Sequence, residues 1–426
     1  MRTLLLILLC VAPLRAQTGT PASFFSMTMN TQGHETILPI GGLRLWDTSA
    51  TWPSIETANG TYSYTTLDAW LAEAQMLNAD VTFTVGGQTP PWAITGSCTG
   101  TYSGSSPKGC AQVPSDIGSG DNIWKAFITA LVKHSLASST AHIKFYECWN
   151  EPDLTGTFAG TVPQLVTLCH DLYTTVHALD PNALVIGPSP STGCTNNCGI
   201  HTLPTYYAYG GAPYEDIVGM HAYMYQFQTT PEPISNIVTQ LQTLMTANGI
   251  GALPIFFTEG NEGNSTQAPI STMTDAQKVA YLMREYLLMW MVPQVQRYYW
   301  YAWDNANYGT LYSNGALTQA GIAYKTLQSW LVGSTHPANQ CSKDSNGTWS
   351  CTLIYQGNPA LILWNQTTTP STPVPETFAH VLSYTGTRSA IVANAVTAGP
   401  IPQMAVPDSW IWNCTGAQTF ICTGKT

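Results

Sequence analysis

Short hydrophobic runs alternate with longer amphipathic segments from about residue 40 to residue 332. The short runs are rich in β-branched and aromatic residues and predict strands, whereas the longer segments have helical spacing. The predicted strands lie at 41–47, near 62–64, and at 81–85, 143–149, 183–187, 217–223, 254–258 and 297–303. The predicted helices lie at 67–77, 123–135, 162–179, 234–247, 275–291 and 317–331. Eight such units predict an α/β fold, a (β/α)8 TIM barrel.

The pattern changes after Gly333. Residues 335–426 contain short hydrophobic runs separated by Pro, Gly and Thr, without a helical pattern. This predicts a small C-terminal antiparallel β-sandwich as an accessory domain. Residues 17–39 either lead into the barrel or add a strand to the β domain, so we expect the catalytic barrel at 40–332 and the sandwich at 335–426.

Residues 1–16 have the pattern of a secretory signal peptide. Arg2 supplies a positive charge, an apolar run extends from Leu4 to Ala12, and Ala16 is a small residue before the expected cleavage site. The run is too short to span a bilayer, and no later stretch has the length of a transmembrane helix. We therefore expect a secreted or periplasmic protein without a membrane span.

The charge of the chain narrows the choice of partner. Charged residues make up only 9 % of the sequence and the net charge is -10, against roughly 25 % charged residues in an average soluble protein. Lys and Arg form no cluster, so nucleic acid and anionic membranes are poor partners. A surface covered by Ser, Thr, Asn, Gln and Gly fits an extracellular protein.

The cysteines also favour an oxidising compartment. Without Cys10 of the signal peptide, eight of the others form close pairs that predict local disulfides: Cys98–Cys110, Cys194–Cys198, Cys341–Cys351 and Cys414–Cys422. Cys148 and Cys169 either bridge a strand to the following helix or remain two buried thiols. No zinc-ligand spacing accompanies the cysteines and no glycine-rich phosphate loop follows the first strand, so we expect no metal and no cofactor.

Two glutamates follow predicted strands directly. Glu151 comes just after the fourth strand and Glu259 ends the seventh. Reactive groups of TIM barrels lie at this carboxyl end of the strands. Retaining glycosidases need two carboxyl groups about 5–5.5 Å apart, one to protonate the leaving oxygen and one to attack the anomeric carbon. Glu147 and Glu262 are the spare acids, and either could replace its neighbour as the catalyst.

The motifs around these glutamates resemble clan A glycoside hydrolases, most closely family 39. The matching stretches are GGQTPPWA at 86–93, YECWNEPD at 146–153, GMHAYMY at 219–225, FFTEG at 256–260 and YYWYAWDN at 298–305. Family 39 β-xylosidases typically carry an Arg-x-His on the first of these strands, whereas this chain has Arg44-Leu45-Trp46. The resemblance therefore implies the fold and the chemistry and leaves the sugar open.

The resemblance implies a role for several residues. Glu151 would be the general acid/base and Glu259 the nucleophile, while Asn150 would bond the 2-hydroxyl of the sugar. Tyr223 would bond the Glu259 carboxylate, and Arg44 would help to keep it ionised. A structural salt bridge is the alternative for Arg44, and loop amides could satisfy either glutamate.

Further residues near the strand ends are candidates for substrate binding. His221 is a sugar ligand or a packed ring rather than a general base. Gln88 lies in the loop after the third predicted strand. Trp92, Trp303 and Trp46 could stack on sugar faces, with Trp303 the strongest candidate and core packing the alternative for each.

These patterns predict a secreted retaining glycoside hydrolase that cleaves β-glycosidic bonds of a polysaccharide or oligosaccharide. Its substrate is a carbohydrate, attacked either by a β-xylosidase-like exo enzyme or by an endo-β-glycanase of the same clan. A catalytically inactive carbohydrate-binding protein on the same barrel is the alternative from another class. The sequence sets no oligomeric state.

Overall fold

The structure is a computed structural model, and it describes residues 19–33, 39–100, 109–191, 198–223, 230–336, 340–355 and 357–408, with two strands at 412–415 and 421–424. The expected signal peptide at 1–16 lies outside these residues. The side chains of Cys194, Cys198, Cys414 and Cys422 are also outside them, so the two disulfides expected there stay predictions. None of the described helices is long and apolar enough to cross a membrane.

Eight parallel strands form the barrel. They are β1 (Phe25–Thr28), β2 (Gly42–Leu45), β3 (Asp80–Gly86), β4 (Ile143–Trp149), β5 (Leu184–Ile186), β6 (Val218–Tyr223), β7 (Ile255–Asn261) and β8 (Val295–Tyr301). Their order in the sheet is β5-β4-β3-β2-β1-β8-β7-β6. A parallel bridge between Ile186 and Ile217 joins the two edge strands. The predicted TIM barrel is therefore confirmed.

One predicted barrel strand was wrong, and another is present but is the second strand rather than the first. The segment 17–39 supplies β1, which pairs in parallel with β2 and β8, rather than a strand of the β domain. The predicted first strand, which carries Arg44, is therefore β2. Residues near Tyr62 form a short antiparallel hairpin, Glu56–Ala58 with Thr61–Tyr62, outside the barrel. All four residues of β1 are buried, so this short strand has no polar face for a pattern to reveal.

Seven helices of more than ten residues surround the barrel in the described chain. They are α1 (Thr65–Leu77), α2 (Asn122–Ala137), α3 (Val162–Leu179), α4 (Cys198–Ala208), α5 (Ile234–Ala247), α6 (Asp275–Trp290) and α7 (Gln319–Leu331). Capping boxes start α3 and α6, since Thr161 pairs with Gln164 and Thr274 with Gln277. The sequence pattern missed α4, which contains an internal proline, Pro204.

The C-terminal domain is an antiparallel sheet, as expected. Its strands are β9 (Cys341–Lys343), β10 (Thr348–Tyr355), β11 (Asn358–Asn365), β12 (Phe378–Leu382), β13 (Arg388–Ala390) and β14 (Gln403–Pro407). They follow the order β9-β10-β11-β14-β12-β13. Ile362 and Met404 belong to the same hydrophobic cluster as the barrel core, while Leu363 and Ala405 cluster with Val396 of a two-stranded ribbon, Ser371–Pro373 with Ala395–Thr397. The expected sandwich is thus found in part, with the ribbon as its second layer.

Three disulfides are present among the described residues. Cys98–Cys110 and Cys341–Cys351 are two of the predicted local pairs. Cys148 of β4 is bonded to Cys169 of α3, with a Cα–Cα distance of 5.4 Å. This decides between the two alternatives for these cysteines and ties a central strand to its helix.

Candidate active site

Polar side chains gather at the carboxyl end of β4. Glu147 lies within the strand, and Asn150 and Glu151 follow it, all three buried. Glu151 has a φ of 44°, a conformation that few residues other than glycine adopt. Its backbone N–H donates to the carbonyl of Ser189 at 2.9 Å, and its own carbonyl accepts the hydroxyl of Thr157. The backbone at Glu151 is therefore held from both sides.

Arg44 connects the acidic residues inside the barrel mouth. It is fully buried on β2, and it donates from Nε to Glu147 at 2.8 Å, from Nη1 to Glu259 at 2.5 Å and from Nη2 to Asn150 Oδ1 at 2.8 Å. Burial alone would lower the pKa of Arg44, but the two carboxylates raise it above its ordinary value. The guanidinium is therefore a permanent positive charge between strands β4 and β7.

Glu147 fills the interior of the barrel. Besides Arg44, its carboxylate accepts the hydroxyls of Thr84 and Ser189, each at 2.5 Å. Burial would raise the pKa of Glu147, but Arg44 and the hydrogen bonds hold it below its ordinary value. A carboxylate that stays ionised and has its acceptor sites filled is suited to orient Arg44 rather than to react.

Glu259 is bonded on both of its oxygens. Oε1 accepts Arg44, and Oε2 accepts the hydroxyl of Tyr223 at 2.8 Å and lies 3.5 Å from Nδ1 of His221. Burial raises the pKa of Glu259, and Glu151 adds to the rise, while His221 and Arg44 oppose it. The expected contacts of Arg44 and Tyr223 are both present, but the pKa of Glu259 is raised by burial rather than low as expected.

His221 lies between the two glutamates. Its Nδ1 is 2.9 Å from Glu151 Oε1, and one ring nitrogen of His221 and one carboxylate oxygen each of Glu151 and Glu259 all lie within 4.8 Å of one another. Burial would lower the pKa of His221, but Glu259 and Glu151 raise it above its ordinary value. Two carboxylates and an imidazole are also possible ligands of a divalent cation, but the proton that the raised pKa favours makes His221 a hydrogen-bond donor instead.

The remaining candidate residues are less exposed than expected. Trp303 has no exposed surface and stacks on Tyr312 with ring centroids 5.3 Å apart, so it does not offer a face to a sugar. Trp46 is also buried, against Gly87. Gln88 is buried in the loop after β3, and Trp92 is the one partly exposed tryptophan of the three, with Nε1 donating to the Glu56 carbonyl.

Glu262, the other spare acid, lies away from this cluster. It is buried, and its electrostatic neighbours are Lys278 and Glu285 of α6. Burial raises the pKa of Glu262 to about 7. Its surroundings on the helix side of β7 make it a poor substitute for Glu259.

Several residues of the site were missed by sequence reasoning. Asp47 accepts the hydroxyl of Tyr301 and raises the pKa of Glu259. Tyr308 is half-buried and packs edge to face on Tyr301. Burial raises the pKa of Tyr308, and the charges of Glu151 and Glu259 add to the rise. Asp153 follows Glu151 closely, and burial raises its pKa to about 6. Only Asp153 had a usable signal, its place directly after the Trp-Asn-Glu-Pro motif.

Comparison with solved structures finds the same fold in glycoside hydrolases. A family 39 glycoside hydrolase from the gut symbiont Bacteroides cellulosilyticus WH2 matches with a TM-score of 0.66 and 17 % identity, over 87 % of this chain and 76 % of that chain. A family 39 β-xylosidase from Caulobacter crescentus matches with a TM-score of 0.63 and 16 % identity, over 92 % and 98 %. A family 30 endoxylanase from Clostridium papyrosolvens C71 matches with a TM-score of 0.57 and 13 % identity, over 92 % and 97 %.

These comparisons concern the fold. No protein-family model and no curated protein matches the sequence. The resemblance to family 39 that the motifs indicated is therefore confirmed at the level of the barrel architecture, and the chemistry must be argued from the residues at its mouth.

Proposed function

We propose that this protein is a secreted or periplasmic retaining glycoside hydrolase that cleaves β-glycosidic bonds, with Glu151 as the general acid/base and Glu259 as the nucleophile. The observation that carries the proposal is the short distance between them: a carboxylate oxygen of Glu151 and one of Glu259 lie within 4.8 Å. Inverting enzymes leave roughly 6.5–9.5 Å between their carboxyl groups for a water molecule, whereas retaining enzymes need about 5–5.5 Å.

In the first step, a Glu259 oxygen attacks the anomeric carbon while Glu151 protonates the departing glycosidic oxygen. The carbon–oxygen bond to the leaving group breaks, and a glycosyl ester of Glu259 forms. Arg44 and Tyr223, which already bind the two oxygens of Glu259, hold the attacking carboxylate in one orientation. Such positioning accounts for a large share of enzymatic rate acceleration.

In the second step, Glu151 has lost its proton and acts as a base toward water. The ester of Glu259 carries no negative charge, so the deprotonated Glu151 no longer faces a second carboxylate. Water gives its proton to Glu151 and attacks the anomeric carbon, and Glu259 leaves as a carboxylate. His221, 2.9 Å from Glu151, keeps the acid/base aligned through both steps.

Asn150 suits the role of binding the sugar. Its Oδ1 is occupied by Arg44, which fixes the amide, and its Nδ2 is buried without a hydrogen-bond partner among the described residues. A fixed, unpaired donor beside both glutamates supports a bond to the 2-hydroxyl of the substrate, which the family resemblance implies.

The names of two structural neighbours support a proposal for the substrate class. One of them is named a β-xylosidase and another an endoxylanase. We therefore propose a β-xylosidase-like activity first and an endo-β-glycanase second. The proposed domain organisation is a signal peptide at 1–16, the catalytic barrel in the central part and the antiparallel domain at 335–426.

A hydrolysis screen tests the proposal. Wild-type protein, Glu259→Gln and Glu262→Gln would be assayed on aryl β-glycosides and on β-linked polysaccharides such as xylan. We expect wild type and Glu262→Gln to hydrolyse the same substrates and Glu259→Gln to be inactive. Carbohydrate binding without hydrolysis by the wild type would instead favour the inactive binding protein.

A further inference from the structure

Three buried polar atoms around Glu259 lack hydrogen-bond partners among the described residues. They are Asn150 Nδ2, His221 Nε2 and Asp47 Oδ1. A buried polar atom without a partner costs about 1–3 kcal/mol, so such atoms are rare and call for a reason. Asn150 is linked to Glu259 through Arg44, His221 lies 3.5 Å from Glu259, and the charge of Asp47 acts on Glu259. This common neighbour indicates that a ligand at Glu259 completes the hydrogen bonding.

Asp47 is the member of this group without a role in the proposed mechanism. It lies two residues beyond the end of β2, and its Oδ2 accepts the hydroxyl of Tyr301 at the end of β8. The residue is partly exposed as a whole. Burial raises the pKa of Asp47, while Tyr301 and the side chain of Asn30 lower it.

The position of Asp47 is electrostatically unfavourable for the nucleophile. Its negative charge raises the pKa of Glu259, although an attacking carboxylate must be ionised. The charge of Arg44 lowers the pKa of Asp47 in part, but the hydrogen bonds of Arg44 go to Glu147, Glu259 and Asn150 and not to Asp47. Asp47 therefore opposes the ionisation of Glu259. A role in substrate binding would explain why a carboxylate is present at this position.

A carboxylate has about four acceptor positions and no donor when ionised. Tyr301 and the side chain of Asn30 both bond Asp47, which leaves about two acceptor positions for hydroxyl groups. The carboxylate would repel an anionic substituent placed at the same point. The chemistry of Asp47 thus fits a sugar with free ring hydroxyls and without a carboxylate.

We propose that Asp47 is a substrate-binding residue that accepts a hydrogen bond from a ring hydroxyl other than the 2-hydroxyl, and that it selects uncharged sugars over uronic acids. This inference rests on the proposed function, since it places the sugar between Asp47, Asn150 and the two glutamates. Sites built to bond a hydroxyl discriminate strongly against analogues that lack it, because their buried polar groups are then left unpaired.

The test combines variants with deoxy substrates. Wild type, Asp47→Asn, Asp47→Ala and the surface control Asp68→Asn would be assayed on the 4-nitrophenyl β-glycoside that the wild type hydrolyses fastest, and on its 3-deoxy and 4-deoxy forms. We expect both Asp47 variants to lose about 100-fold or more in kcat/KM on the parent glycoside. On one of the deoxy forms, wild type should lose a comparable factor and Asp47→Ala should lose less than threefold further.

The uronic acid comparison uses the matching 4-nitrophenyl β-glucuronide. The ratio of kcat/KM for the neutral glycoside to that for the glucuronide should fall at least tenfold in Asp47→Asn. An unchanged ratio would contradict the selection of uncharged sugars.

Two results would overturn the binding role of Asp47: kcat/KM within threefold of wild type in both variants, or an equal loss on the parent and on every deoxy form, which indicates a purely structural effect. Asp47→Asn keeps the shape of the side chain and gives the answer if Asp47→Ala does not fold. If wild type hydrolyses no glycoside, the proposed function fails together with this inference. If wild type is active and Glu259→Gln is not, a negative result at Asp47 concerns this inference alone.

Discussion

The barrel mouth and the layer between barrel and helices both contain buried carboxyl groups, but the two regions differ in whether a salt bridge accompanies them. In the mouth, Glu147 and Glu259 share the guanidinium of Arg44. In the outer layer, Glu215, Glu262 and Glu285 make no salt bridge among the described residues, and burial raises the pKa of Glu215 to about 8 and that of Glu262 to about 7. In the mouth a buried cation thus compensates the burial of two carboxylates, whereas these three outer-layer acids have no such partner among the described residues.

The largest expected effect follows from removing that cation. Arg44→Met leaves two buried carboxylates without their partner, and breaking a buried ion pair in this way typically costs about 3–5 kcal/mol. We expect a loss of that size in the free energy of unfolding at pH 7, measured by denaturant titration, together with loss of glycosidase activity. The loss should shrink toward pH 4, where the carboxylates can take up protons.

Arg388 provides the control for this comparison. It forms an exposed ion pair with Asp408, 3.4 Å long, in the C-terminal domain. Such pairs contribute about 0–1 kcal/mol, so Arg388→Met should change stability little. Equal effects of the two substitutions would contradict the distinct role of the mouth.

The next prediction concerns Glu215, whose replacement should increase the stability of the protein rather than lower it. Folded Glu215 has a pKa of about 8, against about 4.3 in an unfolded chain. The folded protein holds a proton that the unfolded chain releases, so burial of Glu215 costs stability increasingly from about pH 4 up to about pH 8. Glu215→Gln should therefore be stabilising, by about 3 kcal/mol more at pH 7 than at pH 4.

Thermal unfolding of wild type and Glu215→Gln at both pH values measures this difference. A gain that does not depend on pH would mean that Glu215 does not change its protonation on folding. Glu215 would then not differ from the acids of the mouth in its protonation.

The smallest effect compares one hydrogen bond in each region. Thr84 donates to Glu147 in the mouth, and Tyr298 donates to Glu285 in the outer layer, each at 2.5 Å. Burial raises the pKa of Glu285 well above its ordinary value, so the second bond is between neutral groups. We expect Thr84→Val to cost about 1.5–3 kcal/mol and Tyr298→Phe about 0.5–1.5 kcal/mol in denaturant unfolding. The reverse order would contradict the assignment of charge.

Much of the barrel could be predicted because β3, β4 and β6 to β8 are long buried runs that stand between amphipathic helices. The four-residue strand β1 could not, because it is buried on both faces and the residues described between it and β2, 29–33 and 39–41, contain no helix. The helix α4 was hidden by Pro204, which normally interrupts a helical pattern. Boundaries and short elements depend on tertiary packing, which the pattern does not contain.

The candidate site, like the fold, could be predicted from the sequence only in part. Glu151 and Glu259 were found because a barrel places strand ends at its mouth. The contact of Asp47 with Tyr301 joins residues 254 positions apart, and only closure of the barrel brings them together. Trp303 was overrated because its position at a strand end says nothing about Tyr312, the ring that covers it.

The configuration of azide products tests the roles of the two glutamates most directly. Glu259→Ala, given azide and an aryl β-glycoside, should form an α-glycosyl azide, because azide enters on the face that the missing nucleophile vacates. Glu151→Ala should still form the glycosyl ester with a good leaving group, and azide should then release a β-glycosyl azide. Opposite anomers from the two variants, identified by NMR, are the predicted result. Near wild-type hydrolysis by Glu259→Ala, or the same anomer from both variants, would contradict the assignment.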